Sequence, residues 1–424
     1  MNDCSEPASG KTCEEHVLEL ASKYESDVIE LRRHFHQYPE VGGKEYQTSA
    51  FVRAQLQAHG IEYRLIEGER PLAQRGERDD FIGTGVIATI RGEAPGSYDD
   101  AGNPVRRIAL RTDMDALPIT ERTGFDYRSK NDGVMHACGH DCHMAMMLGA
   151  VKILNEMKEH LKGEVRVIFQ PAEEISIGAR DMIAAGALDG VDAIYGAHIW
   201  SEVDSGTFSC EPGPRMANTD WFRIDIDGAS AHGSMPHKGV DAVVIAAEII
   251  DALQILVSRK TSPFEPIVIT VGEVHGGTAR NIMAGSAYLT GTVRTWHKEM
   301  RERIADRMER AAGKTAHAFG ATLKFTFEHG NPSVVNDAHL ADVAAKTVAK
   351  LFGEGAVASY EGTLSGEDFA EYLKYVPGVF VFVGTNNPDV DAIHPQHSCY
   401  YTIDEGMLAK GAAVTAQWAL DMLA

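Results

Sequence analysis

Eight consecutive residues, His136-Ala137-Cys138-Gly139-His140-Asp141-Cys142-His143, form the densest group of potential metal donors in the chain. Five of them offer a nitrogen or sulfur donor to a borderline cation, and Asp141 adds oxygen. Spacing removes the familiar alternatives. Three residues separate Cys138 from Cys142. A c-type haem site and a redox dithiol both need two. The His-Glu-x-x-His pattern of helical zinc proteases is absent.

A second group, Gln170-Pro171-Ala172-Glu173-Glu174, places two carboxylates just past an apolar stretch, Val165–Phe169. Adjacent carboxylates point in different directions, so one can hold a cation while the other moves a proton as general base. An acidic pair also suits the first turn of a helix, and the pair gains weight from the donor cluster upstream. Asp113 follows the apolar run Ile108–Leu110, and His198 follows Ala193–Ala197. His397 lies in a loop after Gly378–Gly384. Open α/β sheets build their sites outside the carboxyl ends of strands. Polar residues at several strand ends therefore point to one crevice.

The elements that must position these groups follow from hydrophobic periodicity. A helix is expected from about Glu15 to Pro39, another over Tyr46–His59, and one from about Cys142 to His160. Glu67–Phe81 reads as a charged loop, and the first dozen residues as loose. Strands alternating with helices imply an α/β fold whose mostly parallel sheet is covered on two sides. After Pro214 the pattern changes to β-α-β-β-α-β, the ferredoxin-like order. Residues 1–213 and 332–424 are thus expected to form a discontinuous metal-binding catalytic domain. Residues 214–331 are expected to form an inserted dimerisation or lid domain, with linkers near Gly213 and Asn331.

Composition narrows the partners. A net charge of −21 opposes nucleic acid and anionic lipid. Six cysteines in 424 residues do not make a disulfide scaffold. No apolar run is long enough to span a bilayer, and the N-terminus lacks the pattern of a secretory leader. A cytoplasmic protein is expected.

In order along nearly the whole chain, several stretches resemble a known family. They include Leu31–Glu40, Arg111–Pro118, Met135–Asp141, Gln170–Glu174, Gly196–His198, Ala231–Gly233, Gly277–Asn281, Gly291–Arg294 and Ser365–Phe369. The family is that of di-metal amidohydrolases and peptidases, including hippurate hydrolase, N-acyl-amino-acid amidohydrolases and plant auxin-conjugate hydrolases. The resemblance implies two divalent ions per subunit, held by Cys138, His140, Glu174, His198 and His397. In the wider family an Asp bridges ions about 3.5 Å apart, and here Cys138 stands in its place. The wider family also has a His where this chain has Arg111, and His140 is expected to supply the missing nitrogen. Thiolate favours Zn²⁺ while this branch looks tuned for Mn²⁺, and Co²⁺ and Ni²⁺ also suit the donors.

By the same resemblance Glu173 is the general base and acid, and Asp113 orients a ligand imidazole. His232 stabilises the oxyanion from the partner subunit of a homodimer. Asn281 and Arg294 hold the substrate carboxylate. The implied reaction is hydrolysis of an N-acyl amino acid or similar small amide. A dipeptidase or aminobenzoyl-glutamate-type hydrolase is the alternative, followed by a catalytically silent metal-binding subunit or a zinc-stabilised structural protein. His34, His36, His136, His143, His394 and Cys142 are expected to be structural or to support the ligands from behind. Cys4, Cys13, Cys210 and Cys399 carry no expected role.

Overall fold

The computed structural model describes residues 11–66 and 83–424. The expected loop over Glu67–Phe81, Cys4, and most of the expected loose N-terminus lie outside the described residues. In chain order the elements are α1 (Cys13–Lys23), α2 (Glu25–Gln37), α3 (Tyr46–Ala58), β1 (Glu62–Leu65), β2 (Val86–Arg91), β3 (Arg107–Asp113) and α4 (His140–Glu156). Then come β4 (Glu164–Gln170), α5 (Gly178–Ala184), β5 (Ala193–Asp204), β6 (Phe208–Ser209) and β7 (Gly213–Met216). Next are β8 (Asp220–Asp227), β9 (Ala231–His232), α6 (Ala242–Lys260), β10 (Ile267–Gly276), β11 (Ile282–Met283), β12 (Ser286–Thr295), α7 (Lys298–Ala318) and β13 (Thr322–His329). The chain ends with β14 (Val334–Asn336), α8 (Ala338–Phe352), β15 (Gly378–Asn386) and α9 (Leu408–Met422).

Two compact units result. One gathers the described residues up to Gly213 with Val335–Glu361 and Glu371–Ala424. Its seven-stranded sheet has the order β1-β2-β4-β3-β5-β15-β6. The four middle strands are parallel; β2 on one side and β6 on the other pair with them antiparallel, and β1 pairs antiparallel with β2. Strand β15, Gly-Val-Phe-Val-Phe-Val-Gly-Thr-Asn, is buried through Thr385. An unbroken apolar run of this kind belongs to a strand covered on both faces. Helix α4 is buried on every side from His140 to Leu154, as a helix apolar all round must be. Helices α1, α2 and α9 pack against it.

The single helix expected from Glu15 to Pro39 is two helices that break at Tyr24. The break lets each helix bury its own stripe, Val17, Leu20 and Ala21 in α1 and Val28, Leu31 and Phe35 in α2. A capping box of Thr12 and Glu15 starts α1.

The second unit holds Pro214–Val334 with Gly362–Ala370. Its sheet is wholly antiparallel in the order β10-β12-β8-β13, the ferredoxin-like arrangement. Strand β8 alternates buried and exposed residues. Phe222, Ile224 and Ile226 face a core shared with Ile245, Ile249 and Leu253 of α6 and Ile304 and Met308 of α7. One face of this sheet therefore carries the helices, as alternation requires. Residues 362–370, which the sequence reading places with the catalytic part, group with this unit. Backbone bonds from Thr363 to Arg215 at 3.0 Å and from Ala217 to Ser365 at 2.9 Å hold them there. Among the described residues no helix is long and apolar enough to cross a membrane.

Candidate metal centre

The helix expected from Cys142 begins two residues earlier, at His140. Gly139 precedes it with φ +94°, and a Cβ there would stand 2.4 Å from the Ile199 side chain. Only glycine fits this corner. It lets Cys138 and His140 leave the backbone on either side of a sharp turn, at the foot of a buried helix. Beneath them Asp141 accepts from Arg32 at 2.9 Å and bonds to His36 at 2.8 Å, so α2 anchors the first turn of α4. Burial alone would raise the Asp141 carboxyl, but Arg32 and His36 outweigh it and hold Asp141 ionised. Burial draws His136 down to about 3, which keeps that ring neutral.

Two triads of ligand atoms, each lying within 4.8 Å of one another, share Cys138. The first is Cys138, His140 and His198, and the second is Cys138, Glu174 and His397. Cys138 Sγ is 3.5 Å from His198 Nε2. Glu174 Oε1 is 3.9 Å from His140 Nε2 and 3.5 Å from His397 Nε2. Five residues from four separate segments thus meet in the first unit.

Backbone oxygens set the rings. His140 Nδ1–H donates to the Asp115 carbonyl at 2.8 Å, and His198 Nδ1–H to the Ile199 carbonyl at 2.6 Å. Burial holds His198 neutral, with an unprotonated Nε2 toward the cluster. At His140 burial is outweighed by Asp113, Asp115 and Glu174, which raise the ring to about 10, so a cation seated at its Nε2 would displace a proton. His143 differs. Its Nε2 accepts the Ile199 N–H at 2.9 Å, and its Nδ1–H donates to Asp113 at 2.7 Å. Both nitrogens are engaged, so His143 braces the site although it also forms a triad with Asp113 and His140. Asp113 accepts from Arg111 at 2.7 Å as well, and lies 3.9 Å from His140 Nδ1. The imidazole it orients directly is therefore that of His143.

Glu173 and Glu174 leave the end of β4 through a strained turn, with Ala172 at φ +54° and Ser176 at φ +57°. The Asp115 carboxylate grips it, accepting Glu173 N–H and Glu174 N–H at 3.0 Å each. Asp115 therefore touches the proton-transfer candidate, one acidic donor and, through its carbonyl, His140. Sequence reasoning gave it no role. The signal was its place two residues after Asp113. His397 is also left-handed, at φ +65°, and its N–H donates to the Ala137 carbonyl at 2.7 Å. Non-glycine residues in this region are strained and cluster at functional sites.

The other three candidates belong to the second unit. His232 sits in β9, paired with Ile282 of β11, and is exposed. Its Nδ1 accepts the Ser234 N–H at 3.1 Å, so the neutral ring carries its proton on Nε2. Asn281 lies beside it, its carbonyl accepting the Gly233 N–H at 2.9 Å. A cavity of about 650 Å³ opens along Gly233, Gly276–Arg280 and Ile282. Arg294 is half-buried on β12, opposite Val268 of β10.

The sequence pattern of peptidase family M20/M25/M40 matches residues 109–421. The chain is 39% identical over 393 residues to N-acetyl-L-cysteine deacetylase of Bacillus subtilis, covering 92% of this chain and 87% of the relative. It is 40% identical over 323 residues to N-acyl-L-amino acid amidohydrolase of Geobacillus stearothermophilus, covering 76% and 81%. A crystal structure from Bacillus subtilis, described as a dinuclear metal binding peptidase from the M20 family, superimposes with a TM-score of 0.80. It shares 35% identity, with 95% of this chain and 99% of the other covered. The chain belongs to peptidase family M20/M25/M40 and is a hydrolase of that family.

Proposed function

We propose that the chain hydrolyses the amide bond of N-acyl amino acids of the hippurate kind, releasing a carboxylic acid and an amino acid. Two divalent ions, Mn²⁺ or Zn²⁺, would be held by Cys138, His140, Glu174, His198 and His397. The observation that carries this reading is the pair of triads meeting at one thiol. The donors fit such ions on a second count. His140 Nε2 and Glu174 Oε1 are buried with no hydrogen-bond partner. Leaving such atoms uncompensated costs about 1–3 kcal/mol each, which cations would offset. Burial, with Glu174, Glu173 and Asp113 close by, pushes the Cys138 thiol well up. Ionising it calls for positive charge, which bound cations would supply.

Bound divalent ions polarise a carbonyl and ease ionisation of an attacking water. The protein's own groups do the rest. Glu173 takes a proton from the water and returns it to the amide nitrogen as that bond breaks. Asp115 keeps Glu173 in reach by holding its backbone. His232 of one subunit offers its Nε2–H to the oxyanion that develops in the other subunit's site, and Asn281 and Arg294 hold the substrate carboxylate.

A homodimer formed through the second unit is part of the same proposal. Strand β10 is a sheet edge, and Val243, Val244, Val268 and Val274 are exposed. Open edges of this kind invite a second strand. A cytoplasmic setting accords with Cys13, Cys138, Cys142, Cys210 and Cys399 being free thiols.

The test is a screen of protein reconstituted with Mn²⁺, Zn²⁺, Co²⁺ or Ni²⁺ against hippurate, N-acetyl amino acids and dipeptides, reading liberated amine. Preference for an N-acyl substrate is expected. Preference for a free α-amino group would hand the chain to dipeptides instead.

A further inference from the structure

Two acidic residues stand near the start of α3, where carboxylates ordinarily cap a helix. Glu40 does that work, accepting Gln47 N–H at 3.2 Å and Thr48 N–H at 2.8 Å. Glu45 occupies the N-cap position yet makes no side-chain bond to the helix. Its carboxylate reaches elsewhere. Oε1 accepts the N–H groups of Gly43 at 3.0 Å and Ala172 at 2.9 Å. Oε2 accepts the hydroxyl of buried Thr84 at 3.0 Å.

Ala172 is the left-handed residue just before Glu173. An L-residue held there costs about 1–2 kcal/mol, so the conformation needs restraint. Three consecutive amides supply it. Ala172 donates to Glu45, and Glu173 and Glu174 donate to Asp115. The loop carrying Glu45 lies close over the turn: a Cβ on Gly42 would stand 3.0 Å from Asp115 Oδ2 and 3.4 Å from Ala172 Cα.

We infer that Glu45 is a positioning residue, whose carboxylate fixes the left-handed turn at Ala172 and so aims Glu173 and Glu174. This rests on the proposed function, since it gives those two side chains their work. Glu45 itself touches no reacting atom and acts through the backbone of the turn.

The experiment uses the full chain with Mn²⁺ and hippurate, and compares Glu45→Ala, Glu45→Gln and Thr84→Ala, with Glu173→Gln as reference. Glu45→Ala is expected to lower kcat roughly tenfold or more, with KM changed less than about threefold, and to weaken Mn²⁺ binding by calorimetry roughly tenfold. Far-ultraviolet dichroism of the metal-free protein should not change. Glu45→Gln should stay within about threefold of the parent, because its amide oxygen can accept the same two N–H groups. If Glu45→Ala does not fold, Thr84→Ala carries the test, with roughly a threefold loss of kcat and of Mn²⁺ affinity expected from a loosened carboxylate. Retention of both quantities within about twofold in the folded variant overturns the inference, as does a Glu45→Gln protein as impaired as Glu45→Ala. Full activity in Glu173→Gln would instead defeat the proposed proton transfer, leaving the Mn²⁺ affinities to judge Glu45 on their own.

Discussion

His140 and His232 have the same side chain and opposite wiring. In the buried floor of the first unit, His140 Nδ1 gives its hydrogen to a backbone carbonyl, which leaves Nε2 as the nitrogen a cation can take by displacing its proton. On the exposed β9–β11 ribbon of the second unit, His232 Nδ1 receives a hydrogen from a backbone amide, which leaves a hydrogen on Nε2. One ring is prepared to bind a cation and the other to donate to an anion. The difference lies in which backbone group the fold presents to Nδ1, so identity and exposure alone do not tell a histidine's task. The surroundings differ too. Around His140 the braces are buried groups distant in sequence, Asp115 and the Asp113–His143 pair, whereas His232 leans on its own loop, through Ser234.

The largest effect should come from the braced floor. Glu173→Gln is expected to lower kcat roughly a thousandfold, about 4 kcal/mol of barrier, while calorimetry shows two ions still bound. A loss of ions along with activity would mean that Glu173 is a ligand, and would erase the division of labour between Glu173 and Glu174. The exposed ribbon comes next. His232→Ala should cost roughly a hundredfold in kcat and leave the unfolding free energy within about 0.5 kcal/mol. A large fall in stability would show that His232 is braced after all.

The smallest effect concerns stability and pH. Burial, aided by Asp115, raises Glu45 to about 7. The folded chain keeps that proton up to about pH 7, while the unfolded chain releases it near the ordinary value of 4.5. The native state therefore binds more protons between those values, and the stability linked to this group falls as pH rises through 7. Glu45→Gln removes the dependence. In urea unfolding of metal-free protein it should gain about 2 kcal/mol relative to the parent between pH 5 and pH 8. An equal difference at both pH values would disprove the linkage.

Much of this architecture is legible along the chain. The unbroken apolar run of β15 and the alternation in β8 announce a two-sided sheet and a one-sided one. The donors from His136 to His143 are contiguous, so their proximity needs no tertiary knowledge. What escapes is decided by partners distant in sequence. His140 and His143 look alike until the Ile199 amide plugs one of them. Glu45 and Asp115 look like helix-start or strand-end acids until the amides of 172–174 are brought to them. Periodicity carries across Tyr24 because both helices bury stripes in the same core, so the corner between them is invisible. The grouping of 362–370 rests on backbone bonds to Arg215 and Ala217, which leave no mark in side-chain pattern.

The five donors gathered at Cys138 do not face solvent equally. The His397 ring is 54% exposed, on a loop, while the His140 side chain is fully enclosed. Two ions seated on these donors would therefore have unequal doorways, one opening past an exposed imidazole and one sealed by the helix floor. Dilute chelator should extract them in two kinetic phases, the first hastened by His397→Ala and the second indifferent to it. Such a protein would exchange one ion with its surroundings while retaining the other.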